Sequence, residues 1–195
     1  QNALLEKMFL FISLLKRYGV EPLFVFDGKP PEEKRELLIQ RFVKKKEANE
    51  KLQLLKSKIN NIERIVNGDV SEEYIIIKTR MTQLEKESTR ITSEDLENVK
   101  NLMDYYRTPY VTAIAEADQL CAYLVNNDYA WACMSDDMDM FIYNCKRVLR
   151  DPNIINHDVL LYDTEVIIQE LNIKKEVLTF LLVLLGTDYF VQKLD

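Results

Sequence analysis

Residues 3–18 repeat apolar positions at helical spacing and close with Lys16 and Arg17 before Gly19, the pattern of a helix with a defined stop. A short apolar, β-prone run follows at residues 23–26, of the kind buried in a parallel sheet. It ends in Asp27, Gly28, Pro30 and Pro31, which forbid its continuation. From residue 32 to about 66 the chain is long, charged and free of Gly and Pro, and it predicts one extended helix. Asn67, Gly68 and Asp69 mark a turn. A second helical stretch covers about 71–106, with a break near Thr92 and with Ser93 placed to cap its second half. Residues 107–112 read as a strand, 115–124 as a helix with an acidic start, and the apolar run ending at Met134 as a buried strand. Residues 135–139 are expected to be extended, 141–143 and 147–150 to add sheet edge, and Asp151, Pro152 and Asn153 to break it. Asp163 and Thr164 cap a helix to Leu171, and residues 174–185 form a strongly apolar one. Helix, strand and long helix, followed by alternating strands and helices, predict an α/β fold with a doubly wound, mostly parallel central sheet flanked by helices.

The chemistry collects where apolar elements stop. Asp27 ends the first strand, Glu116 and Asp118 open a helix, Asp136, Asp137 and Asp139 follow the buried strand, and Asp188 follows the last apolar helix. Strand ends are where α/β sheets gather functional groups. An extended 135–139 segment turns Asp137 and Asp139 to one side and Asp136 to the other. Glu116 and Asp118 share a side only because they straddle a helix start; helix-dipole complementarity is the plainer account of that pair. Carboxylates this close raise one another's pKa unless a cation holds them ionised. Six carboxylates with no histidine or thiolate suit hard, oxygen-liganded Mg²⁺ or Mn²⁺. Two such ions are the general device for phosphodiester hydrolysis.

Composition narrows the choice. With 47% hydrophobic and 30% charged residues in 195, the chain is a globular protein with one sizeable core. Its single histidine, His157, leaves little for His-based chemistry, and Cys121, Cys133 and Cys145 stand too far apart in sequence for a paired zinc or disulfide framework. A reducing, intracellular setting is expected. The net charge of −6 is unusual for a nucleic-acid binder, but the cations are unevenly spread. Lys34, Arg41 and Lys45 fall at i, i+7 and i+11 on one face of the long helix, with Lys44 beside them. A solvated helix laced with Glu–Lys pairs is the simpler reading; a basic face directly after a strand-end acid points to phosphate contact.

The stretches Val25-Phe26-Asp27-Gly28-Lys29-Pro30-Pro31, Glu116-Ala117-Asp118 with Cys121-Ala122, Asp136-Asp137-Met138-Asp139, and Leu184-Leu185-Gly186-Thr187-Asp188-Tyr189 resemble, in order, the motifs of the flap endonuclease/XPG family of structure-specific 5′ nucleases. The FDGKPP form is most similar to the flap endonucleases proper. The resemblance implies a PIN-like 5′-nuclease fold: one nuclease domain, with residues 1–31 from the N-terminal region, 32–106 forming a helical arch and the helices after it, and 107–195 from the internal region. It implies that Asp27, Glu116, Asp118, Asp137, Asp139 and Asp188 hold two Mg²⁺ ions, with Mn²⁺ as a substitute and Asp118 standing where the family usually has Glu. It makes Lys34 and Arg41 the scissile-phosphate cations, Asp27 and Asp137 part of the catalytic set, and Lys34, Arg41, Lys44 and Lys45 the DNA contacts. The implied activity is 5′ flap endonuclease and 5′→3′ exonuclease in DNA replication and repair. The implied partners are DNA with a 5′ single-stranded flap and a sliding clamp bound through a C-terminal segment outside this chain. A nuclear location is implied for a cellular eukaryotic member, and otherwise the site of viral DNA replication. The family pattern also contains an earlier strand with a further Asp and a later duplex-gripping element, so truncation at both ends is expected. A PIN-like ribonuclease and a catalytically impaired DNA-binding scaffold are the alternatives.

Overall fold

A computed structural model describes residues 2–65 and 72–185. Helix α1 (Asn2–Arg17) leads into strand β1 (Phe24–Phe26), a 3-10 turn (Glu32–Lys34), and helices α2 (Arg35–Ile65), α3 (Glu72–Ser88) and α4 (Ser93–Tyr105). Strand β2 (Tyr110–Thr112), helix α5 (Ala117–Asn126), strand β3 (Cys133–Met134) and the short helix α6 (Asp139–Ile142) follow. Strands β4 (Arg147–Asn153) and β5 (Asp158–Asp163) and helices α7 (Thr164–Glu170) and α8 (Lys175–Leu185) complete the described chain. The expected turn at residues 67–69 and Asp188 lie outside the described residues. Among the described residues no helix is long and apolar enough to cross a membrane.

The chain divides into two compact units, residues 1–34 with 93–195, and residues 35–92. In the first, β1 pairs with β2 in parallel, Val25 opposite Val111, and β3 pairs with β4 in parallel, Cys133 opposite Val148. Strand β5 adds an antiparallel edge to β4, Val148 opposite Tyr162. Two apolar clusters support these strands. Ile12, Val99 and Met103 bind α1 and α4 to Phe24, Phe26 and Tyr110 of β1 and β2. Ala122, Val125, Cys133, Met140, Phe141, Cys145 and Val148 join α5, α6, β3 and β4. The second unit is an α2–α3 hairpin with its own cluster of Ala48, Leu52 and Leu84.

The α/β architecture follows the sequence pattern, with three local departures. Residues 135–139 are not extended: Met138 is helical (φ −72°, ψ −19°) and Asp139 begins α6. The polar side chains cause this, because Ser135 Oγ accepts from the Asp137 N–H (3.1 Å) and Asp137 Oδ1 accepts from the Asp139 N–H (2.9 Å). Such two-residue side-chain turns compete directly with an extended ladder. Residues 141–143 accordingly belong to α6 and its end and not to a sheet edge; Met140 and Phe141 are buried. Finally, Asp151 and Pro152 do not stop β4. The register shifts between Arg150 and Asn153, and Asp151 takes φ 51°, so the strand carries a bulge and turns at its far end into β5.

Candidate active site

Asp27 is positioned by a close approach of two loops. Gly28 N–H donates to the Ala115 carbonyl (2.7 Å) and Lys29 N–H to that of Ile114 (3.2 Å), which draws the end of β1 against the segment between β2 and α5. A Cβ on Gly28 would overlap the Ala113 carbonyl oxygen and stand 2.7 Å from that of Ile114, so the approach requires glycine. Asp27 Oδ1 then accepts from the Ala117 N–H (2.8 Å) at the start of α5. A carboxylate at a helix N-terminus is favourable on electrostatic grounds as well.

Helix α5 begins with Glu116 as its N-cap residue, in extended geometry (φ −82°, ψ 141°) and with no side-chain capping bond. Its carboxylate meets Lys34 Nζ instead, at 2.6 Å, both side chains being largely buried at 14% and 12% exposure. Asp118 lies in the first turn, half buried, and its pKa is pushed up to about 6. Burial is the largest cause, followed by the negative charges of Asp137, Asp27 and Glu116, which the Lys34 ammonium partly offsets. Asp137 comes from the loop after β3, which α5 packs against.

Three carboxylates, Asp27, Glu116 and Asp137, therefore act on a fourth, Asp118, and the four come from three elements. Asp139 sits at the start of α6, 8% exposed, its N–H given to Asp137. It shares the loop with Asp137 but not the same side of a strand. Asp136 is occupied differently. Its Oδ1 accepts from the Asp151 N–H (3.0 Å) and its carbonyl from Arg150 Nη2 (2.8 Å), fastening the loop to β4. Asp188 lies outside the described residues. Among the described residues no three acidic, cysteine or histidine side chains already stand in a metal-binding arrangement. The donor set is nonetheless all carboxylate, and the raised pKa of Asp118 records the cost first of burying a charge and then of clustering it with others, a cost a hard cation offsets.

Lys34 is the last residue of the 3-10 turn that precedes α2, while Arg41 and Lys45 lie within α2. In the hairpin unit, Arg41 and Lys45 line a groove of about 650 Å³ together with Lys46, Asn49, Ser88, Arg90, Leu38 and Phe42, and the Arg90 guanidinium lies 5.3 Å from the Phe42 ring centre. Lys44 is exposed on α2 outside the lining of this groove. Arg90 carries no signal in the sequence, because it lies past the end of α3 in a stretch without periodicity; only the return of the hairpin brings it to the groove that Arg41 also lines. His157 has a local role, at φ 60° in the β4–β5 turn with its Nδ1 2.8 Å from the Tyr18 hydroxyl.

Residues 1–48 match the XPG N-terminal domain and residues 107–188 the XPG I-region. The chain is 31% identical over 188 residues to flap endonuclease 1-A of Sorghum bicolor, covering 95% of this chain and 45% of that protein. It is 33% identical over 190 residues to flap endonuclease 1 of Sulfolobus acidocaldarius, covering 91% and 49%. It thus spans about half the length of the curated relatives it matches. In fold it is similar to the catalytic core of Rad2 in complex with a DNA substrate (TM-score 0.67, 24% identity, 100% of this chain and 51% of that one). It is similar too to flap endonuclease-1 from Methanococcus jannaschii (TM-score 0.57, 21% identity, 93% and 52%). With both XPG regions in order, and with the acids of each drawn to one place by Gly28 and α5, the chain belongs to the flap endonuclease/XPG family.

Proposed function

We propose that this chain is the nuclease region of a divalent-metal-dependent, structure-specific 5′ flap endonuclease with 5′→3′ exonuclease action, hydrolysing DNA phosphodiesters in replication and repair. The observation that carries the reading is the convergence of Asp27, Glu116 and Asp137 on the half-buried Asp118 in a member of this family. Asp27, Glu116, Asp118, Asp137 and Asp139, with Asp188 from beyond α8, would hold two Mg²⁺ ions, Mn²⁺ serving as a substitute. Bound there, such ions supply an ionised water and stabilise the departing oxygen. The chain's own residues do the rest. Asp27, held by the Ala117 N–H, and Asp137, held by its loop, keep fixed orientations. Lys34 leaves Glu116 for a non-bridging oxygen of the scissile phosphate and offsets the charge that develops there. Arg41, Lys44 and Lys45 bind the DNA backbone. A sliding clamp as partner and a nuclear site of action in a cellular eukaryote rest on the family alone.

The test is cleavage of a 5′-flap duplex in Mg²⁺. Cutting near the junction is expected to disappear in EDTA and in Asp137→Ala. Robust cleavage under either condition, or equal cleavage of single-stranded RNA, overturns the assignment.

A further inference from the structure

Of the three acids on the loop after β3, Asp137 and Asp139 belong to the proposed metal site and Asp136 does not. Asp136 turns instead to β4. Three hydrogen bonds tie the loop to that strand: Ser135 N–H donates to the Leu149 carbonyl (3.1 Å), Arg150 Nη2 to the Asp136 carbonyl (2.8 Å), and Asp151 N–H to Asp136 Oδ1 (3.0 Å). The last is made where β4 bulges and Asp151 takes a left-handed φ of 51°. Both ends of the Arg150 guanidinium go to this loop, for Nη1 meets Met138 Sδ while Nη2 holds residue 136. Its Nε is buried with no hydrogen-bond partner among the described residues. A planar fork set on residues 136 and 138 brackets Asp137. Inside the loop, Ser135 Oγ accepts from Asp137 N–H and Asp137 Oδ1 from Asp139 N–H. Those turns fix the acids relative to one another; the ties to β4 fix the loop relative to the sheet.

We infer that Arg150 and Asp136 are positioning residues for the acid site: the Arg150 fork and the Asp136 carboxylate hold the loop so that Asp137 and Asp139 stand ready to share a divalent ion with the acids of β1 and α5. The inference rests on the metal-dependent reading of that site. Its content is geometric. Asp136 acts through the oxygen that accepts from Asp151 N–H, and its charge is dispensable; Arg150 acts through two donors in one rigid plane, and a positive charge alone does not replace it. Lysine keeps the charge of arginine but not the fork. Asparagine keeps the acceptor oxygen of aspartate but not the charge. The two substitutions therefore separate held geometry from local electrostatics. Partners that orient metal-binding side chains alter metal affinity by about 10–100-fold when removed.

The test is Mn²⁺ binding by the full chain, followed by electron paramagnetic resonance, with amide exchange at Asp137 and Asp139 followed by NMR in the absence of metal. Arg150→Lys, Arg150→Met and Asp136→Ala are each expected to weaken Mn²⁺ binding by about 10–100-fold and to speed exchange at both amides. Asp136→Asn is expected to match the unaltered chain in both. In flap cleavage, the three weakened variants should lose kcat at limiting Mg²⁺ with KM for DNA unchanged, and the loss should shrink as Mg²⁺ is raised. Should Arg150→Met not fold, Arg150→Lys and Asp136→Ala carry the test, the latter at an exposed position. Arg150→Lys binding Mn²⁺ as tightly as the unaltered chain, or Asp136→Asn binding it as weakly as Asp136→Ala, overturns the inference. If the unaltered chain binds Mn²⁺ and cleaves while every variant equals it, the inference falls and the proposed function stands; if the unaltered chain binds none, both fall.

Discussion

At the scale of single residues, the acid site depends on one missing side chain and on one carboxyl whose charged form the fold disfavours. Gly28 is where β1 and the loop before α5 come within backbone hydrogen-bonding distance, and the atoms a Cβ would meet are main-chain carbonyls that cannot swing aside. Gly28→Ala is therefore expected to destabilise the protein by at least about 2–3 kcal/mol, the range of an overpacked core, and to displace Asp27 from the Ala117 N–H. Thermal melts and loss of divalent-ion binding would check both parts. Asp118 illustrates the opposite situation, a group whose charged form the fold disfavours. Its pKa is raised from 3.8 to about 6, so its contribution to stability is fully present below the unfolded value and is lost as the pH rises through 6. Asp118→Asn is expected to stabilise the metal-free protein at pH 7 by on the order of 1 kcal/mol after allowing for solvent screening at a half-buried site. That advantage should fade by pH 4 and narrow when Mg²⁺ is added; chemical denaturation at the two pH values measures it. Asp27 and Gly28 were legible in sequence because a strand ending in Asp, Gly and two prolines admits few conformations. The Lys34–Glu116 pair was not, since it joins residues 82 positions apart across no shared period.

Among the elements, the parts set by local chemistry were readable and the parts set by pairing were not. Asp163 was identifiable as a cap, and its Oδ1 accepts from Glu165 N–H and Val166 N–H at 3.0 and 3.3 Å. Strand β5 is not legible in the sequence because its six residues, Asp158–Asp163, become a strand only through antiparallel pairing with β4 across a bulge. Helix α6 is hidden in the sequence because Phe141, Ile142 and Tyr143 have strand propensity, while the preceding Ser135 and Asp137 turns commit the backbone to a helical start. The α2–α3 hairpin was legible as helices, though the contacts that hold it closed were not. Leu84 is 2% exposed between Ala48 and Leu52, and the exposed Lys56–Glu85 pair beside it contributes little. Leu84→Ala is expected to cost about 2–4 kcal/mol. Hydrogen exchange should show where it falls: α2 and α3 amides are expected to speed up by one to two orders of magnitude at the least, with β4 amides unchanged, because Val148 and its neighbours belong to a separate cluster.

For the molecule as a whole, the net charge of −6 conceals a division that decides how DNA would be met. Residues 35–92 hold 13 of the 26 lysines and arginines but only 9 of the 32 acids. The remainder is correspondingly acidic, and part of that excess is the carboxylate cluster that divalent cations neutralise. A salt titration separates the two contributions, since each phosphate contacted by a cationic side chain adds about 0.7–0.9 to the slope of log affinity against log salt. Replacing both Arg41 and Lys45 with alanine is expected to lower that slope by roughly 1.4–1.8 on flap DNA. Asp137→Ala, assayed in Ca²⁺ to hold the acid cluster neutral without cleavage, is expected to leave it unchanged. Were Asp137→Ala to alter the slope as much as the double substitution does, the acid cluster and not the α2 cations would govern strand binding. Were neither to alter it, DNA contact would have to be sought away from the α2–α3 groove.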